Sequence, residues 1–193
     1  MKKTILFSLV ATFLTIQLHA QNKAPGRIYE AGQADIQVGV GLVSTFFKDD
    51  TKTVLIPLSF SADYLISQGF SLGLQAGHSV TDGPEEVFSD GLIGQWRNTY
   101  TEIGLRMAGH YNKMKNLDLY GGICIGASHS GVEALRPGLE AVELHKGIEP
   151  NSWNLLYSAF LGSRYSATDR WSAFGEIGFG VSLVKVGIGY RLF

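Results

Sequence analysis

The sequence predicts an all-β chain, an eight-stranded antiparallel up-and-down transmembrane β-barrel, and three observations carry that prediction. The first is the polarity of the final stretch. Read at period two, Trp171, Ala173, Gly175, Ile177, Phe179 and Val181 share one face, and Ser172, Phe174, Glu176, Gly178 and Gly180 share the other. After a brief turn at Ser182-Leu183, Val184, Val186, Ile188, Tyr190 and Leu192 oppose Lys185, Gly187, Gly189 and Arg191. Apolar side chains thus alternate with glycine and isolated charges, which suits lipid outside and a narrow polar interior. The second observation is that this alternation recurs along the chain at hairpin spacing. The third is that the connections after strands one, three and five are long and those after two, four and six short, with the short connection after strand seven as the exception. Beyond residue 20 no apolar run approaches the roughly 18 residues of a membrane helix. A chain that spans must therefore close a barrel, because lipid satisfies no open backbone group.

The chain begins with a leader. Lys2 and Lys3 form a basic start, Ile5 to Ile16 is mostly apolar, and Leu18-His19-Ala20 resembles a small-residue cleavage site. This is the pattern of a secretory signal, with Gln21 starting the mature chain. Its removal leaves 14 basic residues against 17 acidic ones, so no basic field points to nucleic acid. Residues 21–30 lack periodicity and are expected to be a periplasmic lead. Residues 31–193 are expected to form one barrel domain.

Strand one is expected over about Gly32 to Ser44, with Ile36, Val38, Val40 and Leu42 outward and Asp35, Gln37, Gly39 and Gly41 inward. Strand two, Thr53 to Ile66, sends Val54, Ile56, Leu58, Phe60, Ala62 and Tyr64 outward. Pro57 donates no ladder bond and a barrel has no free edge, so a local bulge is expected there. Ser67-Gln68-Gly69 turns into strand three, Phe70 to Val80. After a long loop, Thr81 to Trp96, strand four covers Arg97 to Tyr111 and holds Glu102, Arg106 and His110 inside. Strand five, Leu117 to His129, turns Asp118, Tyr120 and Cys124 inward. The longest loop, Ser130 to Ser152, leads to strand six, Trp153 to Tyr165, with Asn154, Ser158, Phe160 and Arg164 inward. Tyr64, Phe70, Tyr111, Tyr165, Trp171 and Tyr190 fall at one set of strand ends. Phe46, Trp96, Trp153 and Phe179 fall near the other, as two interfacial belts would.

This rhythm, the leader and the ending Val186-Gly187-Ile188-Gly189-Tyr190-Arg191-Leu192-Phe193 resemble small bacterial outer-membrane barrels of the OmpA-domain, OmpX and opacity-like class. The resemblance covers about residues 31 to 193. It implies location in the Gram-negative outer membrane and contact with its lipids and lipopolysaccharide. It also implies that the C-terminal Tyr190, Leu192 and Phe193 are read by the barrel-insertion machinery.

The inner face carries the densest chemistry. By parity Asp35, Asp63, Glu102, Asp118 and Glu176 face Arg106, Arg164, Lys185 and Arg191. Isolated charges in so narrow a space are prohibitively costly, so they must pair. The reading is a structural charge plug, since an eight-strand barrel holds only side chains or one small ligand. A proton or ion path is the sharper alternative. A nucleophilic enzyme needs a nucleophile, a base and an orienting group. The candidates are Ser128, His129 and Ser130, with Glu140 downstream. This resembles lipid A deacylases only as a local Ser/His cluster, without their His-x-Ser spacing. The bland reading is interfacial polar residues at a strand end. A soluble periplasmic barrel binding a small apolar ligand is a further alternative, and it needs the reverse polarity. The acidic loops 81–96 and 130–152 offer surface to a partner or to divalent cations. His78, His110 and His145 lack metal-ligand spacing, Cys124 is the only cysteine, and no cofactor fingerprint is present. No metal or cofactor is expected, and the assigned role is structural or surface-interacting, without catalysis.

Overall fold

The computed structural model describes residues 29–45, 51–87, 91, 93–136 and 150–193. The leader, most of the lead, Phe46, and the loop positions Glu140 and His145 lie outside the described residues. Strands run β1 Ala34–Ser44, β2 Lys52–Ser67, β3 Phe70–Asp82, β4 Glu86–Val87, β5 Ile93–Met114, β6 Leu117–Arg136, β7 Asn151–Ser166, β8 Trp171–Gly178 and β9 Ser182–Arg191. Among the described residues, the two-residue β4 pairs only with Gly94 and Ile93 at the start of β5. The other eight close into an antiparallel barrel, because β1 pairs with both β2 and β9, and β3 pairs with β5.

Closure sets a shear. Cross-strand partners lead from Ile188 through Val38, Phe60, Ala76, Ile103 and Ala127 to Leu155 on β7. The other way round, through Ala173, they reach Tyr165 on the same strand. The offset between Leu155 and Tyr165 tilts the strands by about 40°. At that tilt the climb from Tyr165 to Trp153 is about 30 Å, the thickness of a hydrocarbon core. Both side chains stand on the outside, 54% and 72% exposed.

Faces follow parity. Outward Ile103, Leu105, Ile123, Leu161 and Ile188 are exposed, while Gln37, Gln75, Glu102, Arg106 and Glu176 are buried. Pro57 points inward, within a register shift between Leu55 and Leu58 and just above the last β1–β2 pair, Val40 with Leu58. The ladder is interrupted where its missing N–H would have been needed.

Several expectations need correction. Ladders at the long-loop end continue past the predicted strands: β3 reaches Asp82, β6 reaches Arg136, and β5 starts at Ile93. Trp96 therefore lies on the inner face of this extension, against Gly83, and not on an outer belt. The final hairpin is shorter than its alternation suggests. β8 stops at Gly178, and Gly180 takes a φ of +136°. That bend reverses the parity, so Val181 is buried against Gly77 and Ser182 already belongs to β9. Above Ala159, whose carbonyl accepts from Phe179 N, β7 has no β8 partner among the described residues.

Gly162 is among the glycines that close approach requires. Gly162 lies opposite Tyr120, and a Cβ there would meet the phenol ring at 2.5 Å. Gly175 has nothing within 4 Å of a built Cβ. Gly162→Ala is expected to lower stability by about 1–3 kcal/mol through overpacking, and Gly175→Ala by much less. Urea unfolding in lipid vesicles, followed by tryptophan fluorescence, compares the two.

Candidate functional site

Side chains from all eight barrel strands meet along the barrel axis, because alternate residues of every strand must point inward. Three tiers of polar contacts result.

The middle tier centres on Arg106, which is only 2% exposed. Its Nη2 donates to Glu176 Oε2 at 2.6 Å and its Nη1 to Gln75 Oε1 at 3.0 Å, and its Nε lies 3.3 Å from Asp63 Oδ2. The flat guanidinium also stacks on Phe160, 3.7 Å from the ring centroid. Edge hydrogen bonds and face stacking together are what arginine offers and lysine does not. Lys185 pairs with the other oxygen of Glu176, and the Tyr120 hydroxyl donates to Glu176 Oε2 at 3.3 Å. A cavity of about 10 Å³ remains beside Gln37, Ser61, Gln75 and Lys185, room for about one water.

The tier nearer the short turns centres on Arg164, also 2% exposed. Nη1 donates to Asp35 Oδ2 at 3.1 Å and Nη2 to Asp118 Oδ2 at 2.9 Å. His110 bridges Asp118 and Ser71, 2.8 Å from each. Arg191 Nε lies 3.4 Å from Asp35 Oδ1. Sequence reading missed Tyr29, which precedes the first strand yet is buried here, its ring 4.1 Å from the Arg164 guanidinium carbon. Burial pushes the Tyr29 hydroxyl above its ordinary range, with Arg164 opposing. No periodicity flagged this residue, since the lead has none.

The outer tier holds Glu102, 1% exposed. It accepts from Gln75 Nε2 and Tyr100 OH, each at 3.1 Å, and has no cation within ion-pair distance among the described residues. Parity had set Glu102 among the cation partners, and Lys185 instead serves Glu176. Above it Ser130 Oγ donates to Asn98 Oδ1 at 2.6 Å.

The Ser/His cluster is split by the sheet. Ser128 is buried on the inner face and Ser130 shares that face, whereas His129 points outward and packs on Trp153 with ring centroids 4.7 Å apart. Consecutive strand residues face opposite sides, so His129 has the wall between itself and either hydroxyl. At the C-terminus Tyr190 packs on Trp171 at 4.8 Å, while Leu192 and Phe193 stay exposed and their backbones bond to Ala34. The outer extensions carry the Arg97–Asp82 pair, with Nε to Oδ1 at 2.7 Å, and an exposed Arg136–Glu85 pair at 3.9 Å. No group of His, Cys, Asp and Glu able to hold a metal occurs among the described residues.

Arg106→Leu strands Asp63 and leaves Glu176 with Lys185 as its cation, and is expected to cost about 3–5 kcal/mol, whereas Arg106→Leu combined with Glu176→Leu is expected to cost less than the sum of the single changes. Equilibrium unfolding of the three variants in vesicles measures the difference.

No protein-family model and no curated protein matches the chain. Solved structures do. The outer-membrane protein OprG from Pseudomonas aeruginosa aligns with a TM-score of 0.50 at 14% identity, over 85% of this chain and 97% of that one. Ail, the attachment invasion locus protein of Yersinia pestis, solved with the heparin analogue sucrose octasulfate, aligns with a TM-score of 0.50 at 12% identity, over 85% and 99%. At such identities the likeness speaks to the fold alone: this chain has the eight-stranded barrel fold of small bacterial outer-membrane proteins.

Proposed function

We propose that the mature protein, freed of its leader near Ala20, is an integral barrel of the bacterial outer membrane. Its lumen is closed by its own charges, and its outer extensions meet a surface partner without catalysis. One observation carries this reading, the inverted polarity of the wall. Leu105 is 56% exposed on the outside, and its chain neighbour Arg106 is 2% exposed on the axis. In water that arrangement leaves a belt of hydrocarbon uncovered and buries ions. In a bilayer the belt meets lipid at no cost, and the inner ions are matched by counter-charges or, for Glu102, by the hydrogen bonds of Gln75 and Tyr100.

The charge tiers support closure over conduction. An ion crossing the lumen must part Arg106 from Glu176 and Arg164 from Asp35 and Asp118, and each separation leaves a buried charge unmatched. Tyr190, Leu192 and Phe193 are offered to the insertion machinery, and the outer wall to lipids and lipopolysaccharide. The mixed charges of Asp82, Glu85, Arg97, Glu133 and Arg136 belong to the partner-facing extensions. A soluble barrel for an apolar ligand needs an apolar lumen, and a lipid-modifying role needs Ser128 or Ser130 on the same face as His129. Neither arrangement is favoured by the geometry.

In planar bilayers the purified protein is expected to give no stable large conductance. A persistent open channel contradicts the closed lumen. Carbonate-resistant membrane association with heat-modifiable gel mobility is expected on fractionation, and extraction by carbonate contradicts the membrane location. Lipid A acylation is expected to be the same with and without the protein.

A further inference from the structure

We propose that Tyr29 is a built-in stopper: its ring plugs the barrel mouth at the short-turn end, covers the Arg164 cluster and fastens the chain just before β1 to the barrel. The proposal rests on the closed-lumen reading for its purpose, and on contacts independent of that reading for its existence.

Tyr29 is 2% exposed, although the residues after it, Glu30 to Gly32, are exposed. Three separate sets of contacts hold it. The Arg164 guanidinium carbon lies 4.1 Å from the ring centroid and that of Arg191 lies 4.9 Å away, so two cations share one aromatic ring. The hydroxyl is 2.5 Å from Ser166 Oγ on β7, 137 residues away in sequence. The backbone behind the ring is fixed by Gly32 N donating to Leu65 O at 2.8 Å and by Leu65 N donating to Gln33 O at 2.9 Å. The geometry suits each partner. Arg164 points Nη1 and Nη2 in plane at Asp35 and Asp118, which leaves its flat face for an aromatic. Without the ring that face would open to the aqueous side and the ion pairs below it would be hydrated. Ser166 ends its strand at the turn into β8, so the hydroxyl contact ties the lead to the far side of the mouth from β1.

The test uses the full mature chain folded in lipid vesicles. Cleavage after Glu30, the residue following the ring, by a glutamate-specific protease is followed by mass spectrometry. Tyr29→Ala is expected to be cut about tenfold faster than the wild type, because the chain just before β1 is released whenever the stopper is absent. Tyr29→Phe keeps the stacking, loses only the Ser166 contact, and is expected to fall between the two. Equal cleavage of wild type and Tyr29→Ala overturns the stopper. Should Tyr29→Ala fail to fold, nitration of the wild type by tetranitromethane decides. Tyr29 is expected to react about tenfold more slowly in the folded barrel than in the heat-unfolded chain, and equal rates overturn the proposal. Conductance of the wild type would overturn the closed lumen, and cleavage and nitration would still judge Tyr29.

Discussion

A charge removed from water must find a counter-charge or hydrogen-bond donors, and this barrel is arranged to supply them across its axis. Each central guanidinium collects partners from strands distant in sequence. Arg106 on β5 takes Asp63 from β2, Gln75 from β3 and Glu176 from β8. Arg164 on β7 takes Asp35 from β1 and Asp118 from β6. No local segment can form these sets. They exist only once β1 has met β9, and the register that closes the wall also sets the height at which each side chain enters. Removing a single partner from such a set costs far more than the intact pair contributes.

The outside obeys a different constraint. Lipid offers no hydrogen bonds, so the wall must satisfy its own backbone and present hydrocarbon to its surroundings. Strand pairing around the barrel meets the first demand, except along β7 above Ala159, where no β8 partner is described, and the outward Val, Leu, Ile and Phe side chains meet the second. Departures from regularity sit where they do least harm. Pro57 lies at a register shift, and glycine stands where a large inward neighbour such as Tyr120 fills the space. Phe160 serves both sides of this economy, its backbone in the wall and its ring beneath a cation.

Much of this was legible in the residues. Period-two alternation assigns a face to nearly every strand residue, and it alone places Asp35, Arg106, Arg164, Glu176 and Lys185 in the interior. Alternation does not say who meets whom. Glu102 sits among the acids by parity, yet Gln75 and Tyr100 solvate it, because Lys185 enters at the height of Glu176. Alternation also fails at bends. Gly180 leaves the strand conformation and turns Val181 inward. It was silent on how far β3, β5 and β6 extend, since polar outer faces there look like loop. Tyr29 carried no signal, because its place depends on two arginines that arrive more than a hundred residues later. The opposite faces of Ser128 and His129 were legible from adjacency alone, and the structure adds the neighbour, Trp153, that His129 packs against.

The polarity of the wall is tested most directly by nitroxide labels placed singly at Ile103, Leu105, Ile123 and Ile188, with Cys124 replaced by serine, in the protein folded into lipid vesicles. Collision rates with oxygen, which concentrates in hydrocarbon, and with a water-soluble nickel chelate report what each label touches. Labels open to oxygen and closed to nickel are the predicted result. Labels immobilised and closed to both, as in the packed core of a soluble protein, would contradict the account.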